Sequence, residues 1–372
     1  MKTPRLSLSW LAASACALAL ASCGGGGSDS GMSAPLAGTS YRAMNLVSDV
    51  NASGNPYNAS NVDAKLVNGW GIAFNPAGFV WLADNGTSMS TLYDGNGVPQ
   101  SLVVSIPAGA AGGASPTGIV FNGLGGFPVS QGGTSGSSAF VFAGEAGTIA
   151  GWSPNVNLNS AVTVFDGAAA SKVYKGLALA SQGGANFLYA TDFHNGVVDM
   201  FDSAFQPVAS STAFKDPNLP AGYAPFGIQA IANQIYVSYA KQDSAAHDNV
   251  SGAGLGLVDV FDASGALLKR LIAPGGRLNA PWGVAMAPTN FGKFSGDLLI
   301  GNFGDGTINA FDPSTGAYLG TLAKADGSAI MIDGLWGIAF GNGINSQPAN
   351  TLFFAAGPAD ETHGVYGRID SN

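Results

Sequence analysis

Short apolar runs, cut by Gly, Asn, Asp and Pro, recur along the chain. Runs of this kind read as β-strands joined by tight turns. No stretch keeps apolar residues at helical spacing for long enough to predict a sustained helix. The runs also repeat. A glycine followed by Ile, Leu or Val stands at Gly71, Gly118, Gly176, Gly227, Gly283 and Gly337, at intervals of 47 to 58 residues. Each opens a strand such as "GIAF", "GLAL" or "GVAMA". A second strand follows each time, among them "FVWLAD", "FLYATD" and "DLLIGN". A polar loop then leads to a third, as in "GVVDMFD" and "GTINAFD". Five units continue to a fourth: "QSLVVSI", "AVTVF", "PVASSTAF", "LLKRLIA" and "AYLGTLA".

Six units of four strands predict an all-β fold, a six-bladed β-propeller. The sixth unit ends at "GVYGRID" and lacks a fourth strand. The segment "YRAMNLVSDV", Tyr41–Val50, precedes the first unit and is predicted to complete the last blade. That pairing joins the chain ends and removes an exposed edge. A seventh, degenerate blade or an open solenoid is the alternative, and spare length is insufficient for the former.

Composition narrows the class. Glycine fills 55 of 372 positions, about twice its usual share, yet 46% of residues are apolar, which excludes a disordered chain. The net charge of -9 argues against a nucleic-acid partner and is compatible with a preference for cations. The N-terminus carries Lys2 and Arg5, an apolar run from Leu6 to Leu20, then small residues, which reads as a secretory signal. Leu20-Ala21-Ser22-Cys23 resembles the bacterial lipobox, which implies cleavage before Cys23 and a lipid on its thiol. A plain secreted protein is the alternative. The expected organisation is a signal peptide over 1–22, a Gly/Ser-rich tether over 23–40 and a propeller over 41–372. Cys23 is then the one cysteine left, so no intrachain disulfide is expected. Anchoring to the cell envelope follows, at the outer membrane facing the periplasm or the cell surface, with a monomeric propeller.

The order of signals in "LNAPWGVAMAPTNFGKFSGDLLIGNFGDGTINAFDPSTG" resembles NHL-repeat propellers. The doubled "WGIAF", the "ADNGTS" loop and the "GNFGDGTINAF" loop are similar to a bacterial and fungal family of exported, NHL-like conserved hypothetical proteins. The resemblance runs from about Tyr41 to the end. It fades in the second unit, where Gly132–Ser138 is a Gly/Ser insertion. It implies the propeller fold and an envelope location.

The residue before each repeat glycine is predicted to sit at the mouth of the central channel. These residues are Trp70, Thr117, Lys175, Phe226, Trp282 and Trp336. The aromatic ones either wedge between blades and plug the channel or form the floor of a pocket. The loops after the second strands share that face. They carry all three histidines, His194, His247 and His363. They also carry Asp84, Asn85, Glu145, Asp192, Asn195, Asp243, Asp248, Asn302, Asp305, Asp360 and Glu361. Turns favour Asp and Asn for backbone reasons alone. The three histidines on one type of loop are the stronger signal.

Two function classes follow. One is a binding platform for a small molecule or protein, with Trp70, Lys175, Phe226, Trp282, Trp336, Asp84, Asn85 and Glu145 as candidates. The other is a metal-dependent hydrolase or lyase, resembling lactonases or streptogramin lyase. Its candidates are Asp192 and His194 for catalysis, and Asp192, His194, Asn302 and Asp305 for Ca²⁺ or another divalent cation. The sequence holds no H-E-x-x-H, G-x-S-x-G or Walker motif.

Overall fold

The computed structural model describes residues 38–50 and 56–372. The expected signal peptide, Cys23 and all but the last residues of the tether lie outside the described residues. Six antiparallel sheets form the blades of the propeller. The inner strands are Gly69–Phe74, Pro116–Phe121, Tyr174–Gln182, Tyr223–Ile231, Pro281–Met286 and Leu335–Phe340. They line the axis, where each repeat glycine lies against the backbone of the next inner strand. A Cβ on any of the six glycines would come closer than 3.0 Å to that neighbour: Gly71 to Thr117, Gly118 to Leu177, Gly176 to Phe226, Gly227 to Trp282, Gly283 to Trp336 and Gly337 to Trp70. The last contact returns to the first blade, so the ring is closed. Any larger residue would push two blades apart.

Closure of the sheet follows the expected route. Tyr41–Ser48 pairs antiparallel with Val365–Ser371 as the outer strand of the sixth blade. A short fifth strand, Asn61–Val62, then pairs parallel with it. The core has the same periodicity as the sequence. Six apolar clusters each fill the wedge between two neighbouring blades. In the wedge between the first and second, Trp81 stacks on Phe140 with centroids 4.1 Å apart. A seventh cluster sits on the axis. Among the described residues, helical structure is confined to three single turns, Asn85–Thr87, Ala168–Ala170 and Gly292–Phe294. No described helix is long and apolar enough to cross a membrane.

Three segments depart from the repeat. The Gly/Ser insertion of the second blade closes a hairpin of its own, Pro128–Gln131 against Thr134–Ser137. Gly132 and Gly133 both take positive φ at its turn, as a two-residue hairpin requires. The fourth strands expected over "QSLVVSI" and "PVASSTAF" are cut short: only Val104–Ser105 of the former and Pro207–Val208 of the latter pair. Beyond Val208, Ser210 Oγ accepts the amides of Thr212 and Ala213, at 3.3 and 3.0 Å. That serine turn competes with the ladder and bends the chain away.

Candidate functional site

The residue before each glycine shares one end of the channel, and the aromatic ones fill it. Trp70 and Trp336 stack at 3.5 Å between centroids, and Trp282 meets both edge-on at about 6 Å. Phe226 packs on Trp336, and so does Phe303 at 4.0 Å. Trp70, Phe226 and Trp336 are buried and Trp282 half-buried. The indole N–H of Trp282 donates to the Lys175 carbonyl at 2.9 Å, and that of Trp336 to Asn68 Oδ1 at 3.2 Å. These rings are therefore a plug, the first of the two arrangements the sequence allowed. Phe193 and Phe303, from loops after second strands, complete it.

Above the plug lies a charged cluster. Lys175 belongs to an inner strand, and its side chain is 1% exposed. Its ammonium sits 5.0 Å from the centre of the Trp70 ring, a cation–π contact. It donates to Glu145 Oε1 and, at 3.2 Å, to Asp248 Oδ1. Asn85 donates to the other Glu145 oxygen at 2.9 Å. Asn68 donates to Glu361 Oε1 at 3.2 Å and to Asn85 Oδ1 at 3.3 Å. His247 Nδ1 lies 3.1 Å from Asp248 Oδ1. Five of the six blades thus send a polar side chain or loop to one point.

The charges are unequal. Three carboxylates, Glu145, Asp248 and Glu361, face one ammonium. Burial raises the carboxyl of Glu361 above its usual range, and the Glu145 charge adds to the rise. Burial acts the same way on Asp248, but Lys175 and His247 outweigh it and hold that carboxyl below the usual range. Part of the backbone under the cluster is left-handed, as it is in turns elsewhere in the molecule. Asn68 and the run Ala359, Asp360 and Glu361 all take positive φ, between 50 and 64°. Non-glycine residues reach this region at a cost of about 1–2 kcal/mol each.

The other candidates do different work. Asp192 is buried and anchors its own loop: it accepts the Val173 amide at 3.2 Å, Lys172 Nζ at 3.1 Å and Asn195 Nδ2 at 2.8 Å. Asn302 does the same in the fifth blade, accepting the Asn279 amide at 3.1 Å and donating to the Arg277 carbonyl at 2.9 Å. Asp305 accepts from Thr307 Oγ1 at 2.6 Å in that loop. Asp84 is fully buried, and burial drives its carboxyl well above the usual range. The imidazole of His194 has no hydrogen-bond partner among the described residues, and the ring is half-buried. Asp192, His194, Asn302 and Asp305 therefore do not converge as a metal site. The three histidines part company as well, with His363 Nδ1 2.8 Å from Asp49 Oδ2. Among the described residues, the set of three His or carboxylate groups whose ligand atoms lie within 4.8 Å of one another is Glu145, His247 and Asp248. Two carboxylates and an imidazole suit a divalent cation, but Lys175 occupies oxygens of both.

The opposite mouth of the channel is a cavity of about 620 Å³. Its walls are the far ends of the inner strands, with Phe74, Phe121, Leu179, Ile231, Met286 and Phe340 around one polar side chain, Gln229.

Fold and cluster together define a class: a closed six-bladed propeller with a plugged axis and one charged mouth. Among solved structures it is similar to a protein of unknown function from Bacteroides thetaiotaomicron, with a TM-score of 0.52 and 11% identity, over 89% of this chain and 76% of that one. A streptogramin B lyase gives 0.50 and 12%, over 89% and 97%. At such identities the likeness is one of fold. No protein-family model matches the chain. In sequence it is 33% identical over 322 residues to the uncharacterized protein R648 of Acanthamoeba polyphaga mimivirus, covering 84% of this chain and 76% of the relative. The uncharacterized protein L690 of the same virus is 32% identical over 320 residues, covering 84% and 82%. The chain belongs to the family of these mimiviral proteins.

Proposed function

We propose that this chain is an exported, NHL-like propeller anchored through a lipid on Cys23, and that its charged mouth is a binding platform for a small, positively charged ligand. One observation carries the binding reading: around Lys175, which lies over the Trp70 ring, Glu145, Asp248, Glu361, Asn68 and Asn85 converge from four other blades. Packing alone gives no reason to assemble three carboxylates there. Lys175 marks the chemistry the mouth favours, a cation held between carboxylates above an indole face. A ligand bearing an amine or a metal charge takes the remaining acceptors. The test is a thermal-shift screen of the soluble chain against small amines and divalent cations. A cation should raise the melting temperature, and Glu145→Gln with Asp248→Asn should remove the rise. A rise that survives the double variant, or none with any cation, refutes the reading. For the anchor, labelling with radioactive palmitate should depend on Cys23 and vanish in Cys23→Ala.

The ligand-atom spacing of Glu145, His247 and Asp248 favours a second reading, a metal-dependent hydrolase or lyase. A bound divalent ion would supply a Lewis acid there. The residues' own part would be to hold that ion, with Lys175 withdrawn from Glu145 and Asp248. Stoichiometric metal in protein purified without a histidine tag, together with turnover of a lactone or ester, supports it. Turnover unchanged in His247→Ala contradicts it.

A further inference from the structure

The outer strands of the first and third blades are both two residues long, Val104–Ser105 and Pro207–Val208, but only in the third is the start of the third strand left uncovered. That third strand is Val197–Asp202, and the outer strand Pro207–Val208 meets only Met200 and Phe201. Val197, Val198 and Asp199 pair inward with Asp192, Thr191 and Ala190 and have no strand on their outer side. Elsewhere this position is filled. Thr148–Gly151 of the second blade is covered by Val162–Asp166, and Val258–Phe261 of the fourth by Leu267–Ile272. In the sixth blade the cover is Tyr41–Ser48, a segment from the other end of the chain. The fold therefore accepts, at this ladder position, an extended segment that is remote in sequence.

What lies beside the open edge is a cavity of about 890 Å³. Met200, Val208, Phe214, Phe165 of the second blade and Tyr239 of the fourth form apolar walls. The charges on its rim are mostly matched. Lys172 pairs with Asp192 at 3.1 Å and Asp199 at 2.6 Å. Arg270 pairs with Asp216 and, at 3.2 Å, with Asp259. Lys215, exposed on the cavity wall, has no ion pair among the described residues. The site thus presents backbone donors and acceptors at strand spacing, apolar walls and one uncompensated ammonium.

The geometry points to an extended peptide segment of a partner protein, bound here as the missing outer strand of the third blade. The unpaired edge selects an extended backbone, and the walls select apolar side chains at alternate positions. Lys215 selects a carboxylate at its end of the groove, either an acidic side chain or a free C-terminus. This site is separate from the channel mouth and does not depend on it.

The experiment is a selection of random octapeptides with free C-termini, displayed on phage, against the soluble chain, Ala213→Trp and Lys215→Glu. Ala213 lines the groove, and a tryptophan there fills it; Lys215 is exposed, so its reversal leaves the fold alone. The wild-type chain should enrich sequences with alternating apolar residues and a carboxylate. A synthetic peptide of the enriched sequence should slow amide exchange at Val197–Asp199 at least tenfold. Its affinity should fall at least tenfold in Lys215→Glu and when a proline is placed mid-peptide. Enrichment no greater than on Ala213→Trp overturns the proposal. So does protection confined to other amides, equal binding of the proline peptide, or a dimer of this chain in sedimentation that Ala213→Trp abolishes.

Discussion

The two mouths of the channel are built from the same six strands and differ in every chemical respect. At the far mouth each strand contributes a large apolar residue, and the six surround a lone Gln229. At the near mouth the equivalent ring is irregular: Trp, Thr, Lys, Phe, Trp, Trp. Half-buried Glu145 and Glu361, exposed Asp248 and a buried lysine gather above it. The far mouth is what repetition of one apolar pattern produces. The near mouth breaks the repeat blade by blade, and five of the six blades send a polar group to the same point. That difference separates a packing solution from a site.

The largest expected effect is on the plug. Trp336 touches Trp70, Trp282, Phe226 and Phe303 and donates to Asn68. Trp336→Ala should cost about 3–5 kcal/mol in urea unfolding, the usual range for a buried aromatic. A loss under about 1 kcal/mol would mean that the rings pack loosely and the mouth is open. Lys175→Met comes next. It leaves Glu145 and Asp248 without their cation, and the partial exposure of Asp248 limits the damage to about 2 kcal/mol. Glu145→Gln in the same chain should recover part of that in a double-mutant cycle. At the far mouth Gln229→Met, on an exposed side chain, should move stability by less than about 0.5 kcal/mol. Equal losses at Lys175 and Gln229 would erase the distinction between the mouths.

How much of this was legible in the sequence depends on how local the signal is. The glycine of each inner strand answers to its immediate neighbour in the ring, so its recurrence showed the blades. Tyr41–Val50 was found because the sixth unit lacked a strand. Lys175 stood out as the one cation in the pre-glycine ring, and Glu145 and Asn85 as rim residues. The partners of Lys175 were not legible, because loop conformation decides them. Asp248 reaches Lys175 from a long loop, and Glu361 reaches Asn68 only through three successive left-handed residues. Asp192, Asn302 and Asp305 look alike in sequence to Glu145, yet they satisfy the amides and hydroxyls of their own turns. "PVASSTAF" has strand-like composition, and one serine hydroxyl ends the strand early.

A smaller effect concerns pH. The carboxyl of Glu361 is raised in the folded state, so the folded chain holds that proton more tightly than the unfolded one. Stability from this group is therefore fully present below the ordinary glutamate range and falls as pH rises through the folded-state value. Melting curves of wild type and Glu361→Gln should diverge over that window, the variant gaining relative to wild type as pH rises. Divergence of the opposite sign would place Glu361 in a favourable ionic contact instead. The smallest effect belongs to His194→Ala, which should change stability by less than about 0.5 kcal/mol and leave cation binding at the mouth intact.

The most direct test of a cation-binding mouth is terbium luminescence excited through tryptophan, because the Trp70 ring lies 5.0 Å from the Lys175 ammonium that Glu145 and Asp248 hold. Terbium added to the wild-type chain should give sensitised emission, at least tenfold tighter in Lys175→Met, where the built-in ammonium no longer competes. Gln229→Met should leave it unchanged. Emission that is absent, or that persists undiminished when Glu145→Gln and Asp248→Asn are combined, would contradict the assignment of this mouth as the binding site.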